Sequence, residues 1–284
     1  MHFKSFRLAF ALMTILGGSS PIQAQVVQVV PGFNVAYAGN KFGTEAVSGI
    51  PHDYVKIPPA KEYYLDYQVY FENDWEWVQG GKLPGLVGGD HTSGCRPIEP
   101  DGWSSRFMWH QNGGAHFYYY HQNRQSNCGD TRDFANGRTL KKNAWNRITL
   151  RTVVNTPGQS NGLAQLWLNG EKVVDVGNIK WRGNVAETVA LVDQVSLQTF
   201  YGGSTQDWAP SHTTHARFSI LVVRTNLPDF TVPFDPTTAI RNPSFNGVEK
   251  PVQAGIGAVG VIDLQGRWLA ASNGVASRWK WSRR

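Results

Sequence analysis

The chain has 284 residues, 27 Lys and Arg against 21 Asp and Glu for a net charge of +6, and an aromatic share of 12% that includes 11 Trp and 10 Tyr. That length fits one all-β domain, or one domain with a small appendage, and the mild basicity suits an anionic partner. Only two cysteines are present, with no Cys or His beside them at ligand spacing, which argues against structural zinc.

Residues 1–24 read as a secretory leader. Lys4 and Arg7 form a short positive region, Leu8 to Leu16 is apolar, and Ile22-Gln23-Ala24 supplies a cleavage site. The apolar run is too short to span a bilayer, and no later segment reaches that length. Loss of the leader removes two positive charges and no negative ones, so +6 becomes +4. The expected location is secreted or periplasmic, with no membrane anchor after cleavage.

Strand patterns follow. Tyr63, Leu65, Tyr67, Val69 and Phe71 alternate with Glu62, Tyr64, Asp66, Gln68 and Glu72, which predicts one buried and one wetter face. Cys95 and Cys128 fit a disulfide in an exported protein. In the chain-entropy account a loop of this length contributes about 3–4 kcal/mol. Ile148 and Leu150 alternate with Arg147, Thr149 and Arg151, and 166–174 reads as a hairpin turning at Asn169-Gly170. Residues 194–201 and 216–223 supply two more strands. No segment shows a sustained helical period with caps. Many modest strands separated by Gly, Pro and Asn predict an all-β, jelly-roll β-sandwich. After about Asn226 prolines interrupt the pattern, so the domain is expected to cover 25–227. A short, loosely structured extension of unknown role then covers 228–284. Within it, 259–267 has the pattern of a hairpin.

The stretch between the cysteines carries the chemistry. Residues 104–122 form a predicted hairpin about Gly113. With an odd-numbered loop Phe107 faces Tyr119, Trp109 faces Phe117, and all four lie on one side. The other side carries Ser104, Arg106, Met108, His110, His116, Tyr118, Tyr120 and Gln122. A two-residue Gly113-Gly114 turn would mix the faces, and the apolar pattern selects against it. Residues 102–123 contain no carboxylate, whereas a glycoside hydrolase of the usual kind needs two.

The residues present suit β-elimination on a uronic acid. Cations neutralise the carboxylate beside C5, a base takes the C5 proton, and an acid protonates the departing O4. Tyrosine serves as acid or base when a cation lowers its pKa, and lysine as base when it is desolvated or beside another cation. Lys82, set in Gly80-Gly81-Lys82-Leu83-Pro84-Gly85, joins Arg106, Tyr118 and Tyr120 in the catalytic set. Ser104, His110, His116 and Gln122 are candidate substrate-binding residues. His110 and His116 have a structural reading as well, and a metal there needs a third ligand that the local sequence does not supply. No metal and no cofactor is expected.

Three of these segments resemble polysaccharide lyase family 14, the alginate and glucuronan lyases. They are Gly80-Gly81-Lys82-Leu83-Pro84-Gly85-Leu86, then Trp103-Ser104-Ser105-Arg106, then Tyr118-Tyr119-Tyr120. Thr199-Phe200-Tyr201-Gly202-Gly203-Ser204 and Trp208 add to the likeness, which spans roughly 50–225. The resemblance implies a jelly roll and a site of Lys82, Ser104, Arg106, Tyr118 and Tyr120. Lys82 would neutralise the uronate carboxylate or assist proton abstraction, and the two tyrosines would act as base and acid in an order left open. The implied partner is an anionic polysaccharide, alginate first and glucuronan second, and no nucleic acid. Two other readings stand beside it: a non-catalytic carbohydrate-binding β-sandwich, and a glycoside hydrolase drawing carboxylates from other strands.

Overall fold

The computed structural model describes residues 25–50, 53–234 and two short strands at 261–262 and 268–269. The predicted leader and most of the extension lie outside the described residues. In chain order the strands are β1 (Val26–Val30), β2 (Phe33–Tyr37), β3 (Val47–Ser48), β4 (Tyr54–Ala60), β5 (Glu62–Phe71) and β6 (Gly80–Gly89). Next come β7 (Gly102–His110), β8 (Ala115–Tyr120), β9 (Asp130–Asp133), β10 (Trp145–Val153), β11 (Gly162–Leu168) and β12 (Glu171–Ile179). The sandwich ends with β13 (Val192–Ser196), β14 (Phe200–Tyr201), β15 (Thr214–Phe218) and β16 (Leu221–Arg224).

Two antiparallel sheets result. One has nine strands, in the order β12-β11-β10-β5-β15-β2-β3 with β1 and β16 added through β5; the other has seven, in the order β4-β13-β6-β7-β8-β9 with β14 on β6. The predicted all-β sandwich is the observed fold. Its core is the aromatic and aliphatic layer between the sheets, with Leu65, Tyr67, Val69 and Phe71 of β5 fully buried against Phe107, Trp109 and Phe117. Each such Leu, Val or Phe contributes about 1.5–3 kcal/mol by leaving water.

The Asn169-Gly170 turn joins β11 to β12 with both residues at positive φ (51° and 86°), as a two-residue hairpin turn requires. The predicted strand 216–223 is instead two strands. Ser219 breaks it: its hydroxyl accepts the Gln68 N–H at 2.8 Å and its own N–H donates to the Gln68 carbonyl, so the ladder shifts there. Residues 194–201 divide in the same way into β13 and β14.

The face of β5 expected to be wetter is so at Glu62, Gln68 and Tyr70, and is covered at its middle. Asp66 is fully buried, and Phe234 packs with Val222 in a small second cluster on that side. The chain therefore continues onto the sandwich past residue 227, with the Arg147 guanidinium stacked over Phe230 and Phe234. In the separate C-terminal unit, Val261–Ile262 (β17) pairs antiparallel with Trp268–Leu269 (β18), a hairpin slightly later than the one predicted.

Candidate functional site

The seven-stranded sheet positions the site. In β7–β8, Phe107 pairs with Phe117, Trp109 with Ala115, Arg106 with Tyr118, Ser104 with Tyr120 and Met108 with His116. The predicted face assignment is therefore observed, but the pairing is displaced by two residues from the predicted one. The turn explains the difference. It centres on Asn112, which takes a left-handed φ of 58°, and closes with the His110 N–H on the Gly114 carbonyl at 2.8 Å. Small Ala115 thus lies opposite Trp109. A shift of two keeps every side chain on its face, so apolar matching alone cannot separate the two registers.

On β6, Lys82 pairs with Met108 on one side and Phe200 of β14 on the other. Its flanking glycine is steric: a Cβ on Gly81 would collide with the Trp109 indole. A Cβ on Gly202 would stand 3.1 Å from Lys82 Nζ, so the Gly-Gly strand end after β14 leaves room for the amine. Lys82 Nζ lies 4.7 Å from the Tyr118 ring centroid and 5.7 Å from that of Phe200. Burial, reinforced by the Arg106 charge, lowers the lysine pKa to about 7. At neutral pH a large fraction of this amine is unprotonated.

The two tyrosines form one unit. Their hydroxyls are 2.9 Å apart, with the rings at right angles. The Tyr118 oxygen accepts the Gly129 N–H at 3.1 Å and the Tyr120 oxygen accepts the Cys95 N–H at 3.0 Å. Tyr118 is partly exposed, whereas Tyr120 is 1% exposed. Burial, and a hydrogen bond that the Tyr118 hydroxyl donates to Tyr120, push the Tyr118 phenol up, so it is protonated at rest. Tyr119 points the other way, into the core, stacked on Phe117 at 4.5 Å.

Arg106 is 2% exposed. It donates to the Gln198 side-chain oxygen at 3.4 Å, while its Nε and one Nη have no hydrogen-bond partner among the described residues. Its charge acts on Tyr54 of β4 and on Tyr118 and Tyr120. Tyr54 stacks on His91 at 4.2 Å. Tyr54, His91, Gln198 and Phe200 therefore adjoin the predicted residues without having been predicted. They come from β4, the loop after β6 and the β13–β14 edge, far away in sequence. The Phe200-Tyr201-Gly202-Gly203 motif was the one signal pointing to any of them.

Two predicted substrate-binding residues are not brought to the open face. Ser104 is fully buried and its hydroxyl donates to the Thr92 carbonyl at 2.8 Å. Gln122 lies beyond β8, with its amide nitrogen donating to the carbonyls of Glu99 at 2.8 Å and Trp181 at 3.3 Å. Both side chains hold the 90–101 loop in place. His110 and His116 do reach the face, with rings stacked 5.4 Å apart. Burial, with His110 alongside, depresses the His116 pKa to about 4. Asp133 of β9 supplies the third donor that the local sequence lacked, and the three groups bring ligand atoms within 4.8 Å of one another. Asp133 pulls the His116 pKa up and Lys82 pulls it down, the carboxylate having the larger effect of the two.

Cys95 and Cys128 form the predicted disulfide, with Cα atoms 4.1 Å apart. It joins the two loops that close one end of the tyrosine pair. Two surface hollows lie elsewhere, one lined by Glu72, Asp74 and His215, the other by Trp77, Gln111 and Ser211.

The sequence model of a family described as Polysaccharide lyase 14 matches residues 33–221. Among solved structures, alginate lyase Aly36B superposes with a TM-score of 0.61 at 25% identity, covering 69% of this chain and 82% of that one. The alginate lyase vAL-1 from Chlorella virus gives 0.54 at 21% identity, covering 72% and 89%, a likeness of fold. A curated relative, "Exolysin" of Paramecium bursaria Chlorella virus 1, is 28% identical over 175 residues, which is 50% of this chain but 26% of that protein's length.

Proposed function

The chain belongs to the polysaccharide lyase 14 family, and on that footing we propose that it cleaves 1,4-linked uronate polysaccharide, alginate first and glucuronan second, by metal-independent β-elimination. The lyase class goes with the family; the substrate and the residue roles are our reading. Aly36B is an alginate lyase, and one of its mutants is solved with an alginate tetrasaccharide.

One observation carries the roles: an amine with its pKa lowered to about 7 lies over the ring of a phenol whose pKa is raised. When neighbouring groups are pushed apart in this way, the acid and the base are assigned. Unprotonated Lys82 takes the C5 proton. Tyr118, the accessible phenol, gives its proton to O4 as the C4–O4 bond breaks and the C4–C5 double bond forms. The Lys82 ammonium then returns a proton to the Tyr118 phenolate, and the site is reset. Tyr120 stands behind, 2.9 Å from the Tyr118 oxygen, and turns its hydroxyl proton toward that oxygen as the phenolate forms. Arg106 is the fixed positive charge that favours the carboxylate-stabilised carbanion. His110 and His116, and with them Tyr54, Gln198 and Phe200, line the path of the polymer.

The test is product analysis on alginate and glucuronan in the presence of a chelator. Products with unsaturated uronate absorbance at the new non-reducing end are expected, at an undiminished rate. Saturated products would contradict elimination, and loss in chelator with recovery on adding a metal would contradict metal independence. The 1–24 leader and the disulfide support export, secreted or periplasmic. Cell fractionation that finds the chain in the cytoplasm would overturn that part.

A further inference from the structure

The loops at residues 90–101 and 121–129 do something more specific than close one end of the sheet. Each delivers one main-chain N–H to one phenol oxygen: Cys95 to Tyr120, Gly129 to Tyr118. The disulfide joins Cys95 directly to the residue before Gly129.

Both donors occupy places that need special accommodation. Cys95 has a φ of 60°, a left-handed conformation that non-glycine residues rarely adopt and that persists where its surroundings enforce it. A Cβ on Gly129 would lie 2.8 Å from Cε2 of both Tyr118 and Tyr120, so only glycine brings that N–H to the phenol. Residues 94–100 are exposed throughout. Apart from the disulfide, the Cys95 end is held by Arg96, paired with Asp90 at 3.3 Å, and by the Arg124 guanidinium on the Arg96 carbonyl at 2.7 Å. Arg124 also lies over the Tyr120 ring at 5.1 Å.

We propose that the Cys95–Cys128 disulfide holds these two main-chain N–H groups as a cradle for the negative charge left on the tyrosine pair when Tyr118 gives up its proton. The proposal rests on the reading of Tyr118 as the acid. When its O–H bond breaks and the proton passes to O4, the Tyr118 oxygen keeps the Gly129 N–H as a donor and gains the Tyr120 O–H, which turns toward the phenolate. The Tyr120 oxygen in turn is polarised by the Cys95 N–H. Such a chain of donors strengthens as charge develops at its end. Preorganised donors in a site shielded from water are the same device that stabilises oxyanions elsewhere. The charged and titratable groups facing the pair are Lys82 from β6, Arg106 from β7, His116 from β8, Tyr54 from β4 through Arg106, and Arg124 from the loop. Lys82, Arg106, His116 and Tyr54 lie on strands outside the two loops, so opening the disulfide acts on the two amides and on Arg124.

The test opens the disulfide, by thiol reduction of the intact enzyme and by the Cys95→Ser/Cys128→Ser double variant, and follows kcat and KM on alginate. With the charge-assisted Gly129 hydrogen bond and the Cys95 amide behind it both loosened, kcat should fall about 10- to 100-fold with KM little changed. In a Tyr118→Phe background, where no phenolate forms, opening the disulfide should cost nothing further. An equal loss in both backgrounds would show a merely structural staple and overturn the cradle. Should the opened forms fail to fold, the oxidised enzyme still decides. Tyr118→Phe should shift the Gly129 amide proton in NMR and Tyr120→Phe the Cys95 amide proton, and unmoved amides would overturn the proposal. Full turnover by Tyr118→Phe would instead sink the acid assignment and the cradle with it, whereas a crippled Tyr118→Phe that loses as much again on opening the disulfide would sink the cradle alone.

Discussion

The two sheets both carry arginine and tyrosine on the face turned away from the core, and they treat the positive charge in opposite ways. On the nine-stranded sheet every such arginine of β10, β15 and β16 meets a carboxylate. Arg147 grips Asp66 through two nitrogens at 2.9 and 3.0 Å, with Thr149 donating to the same carboxylate. Arg224 is 3.7 Å from Asp66, Arg151 is 2.7 Å from Glu62 and Arg217 is 2.6 Å from Glu72. On the seven-stranded sheet Arg106 and Lys82 stand side by side with no carboxylate partner among the described residues. A paired buried charge is structure, whereas an unpaired one costs stability and persists where a ligand or a reaction needs it. On the function proposed above, the missing anion is the substrate's, a polyuronate with one carboxylate per sugar.

The sharpest way to break this contrast is Lys82→Ala. It should lower kcat on alginate about 1000-fold or more, with the unfolding midpoint within a degree or two, since a base is lost and no ion pair is. Tyr118→Phe comes next, with a loss of about 100-fold or more, measured as the rate of unsaturated uronate release. Residual activity near wild type in either would move the chemistry elsewhere. Stability separates the two sheets in opposite directions. Asp66→Asn should cost about 3–5 kcal/mol in denaturant unfolding and leave kcat alone, because it strands Arg147 and Arg224. Arg106→Met should leave stability unchanged or raise it while depressing kcat. If Arg106→Met destabilises as much as Asp66→Asn, the contrast is wrong. The smallest catalytic effect is expected for Tyr119→Phe, which alters a core-facing ring and should leave turnover intact.

What the sequence disclosed, and what it withheld, follows from the same geometry. Alternation along 104–120 fixes which side chains share a face, because the period of a strand is two. It leaves the pairing free by steps of two, and the Asn112 turn settled that. The wetter face expected for β5 is seen at Glu62, Gln68 and Tyr70, but the burial of Tyr64 and Asp66 on it was not legible, since such residues look alike in pattern whether they meet water or Arg147, Arg151 and the 228–234 segment. Ser104 and Gln122 have the polarity of ligands, yet their hydrogen bonds run to Thr92, Glu99 and Trp181. Whether a polar group serves a loop or a substrate depends on partners distant in the chain. Tyr54 and Gln198 were missed for that reason as well.

The claim at the centre is that an uncompensated positive environment turns Lys82 into a base near neutrality, and kcat/KM against pH tests it most directly. That ratio reports the free enzyme. A base with its pKa lowered to about 7 is protonated and inactive below that point, so kcat/KM should climb about tenfold per pH unit there and level off above it. A profile that falls as pH rises through 7 would show that the ammonium, not the amine, does the work, and would contradict the account.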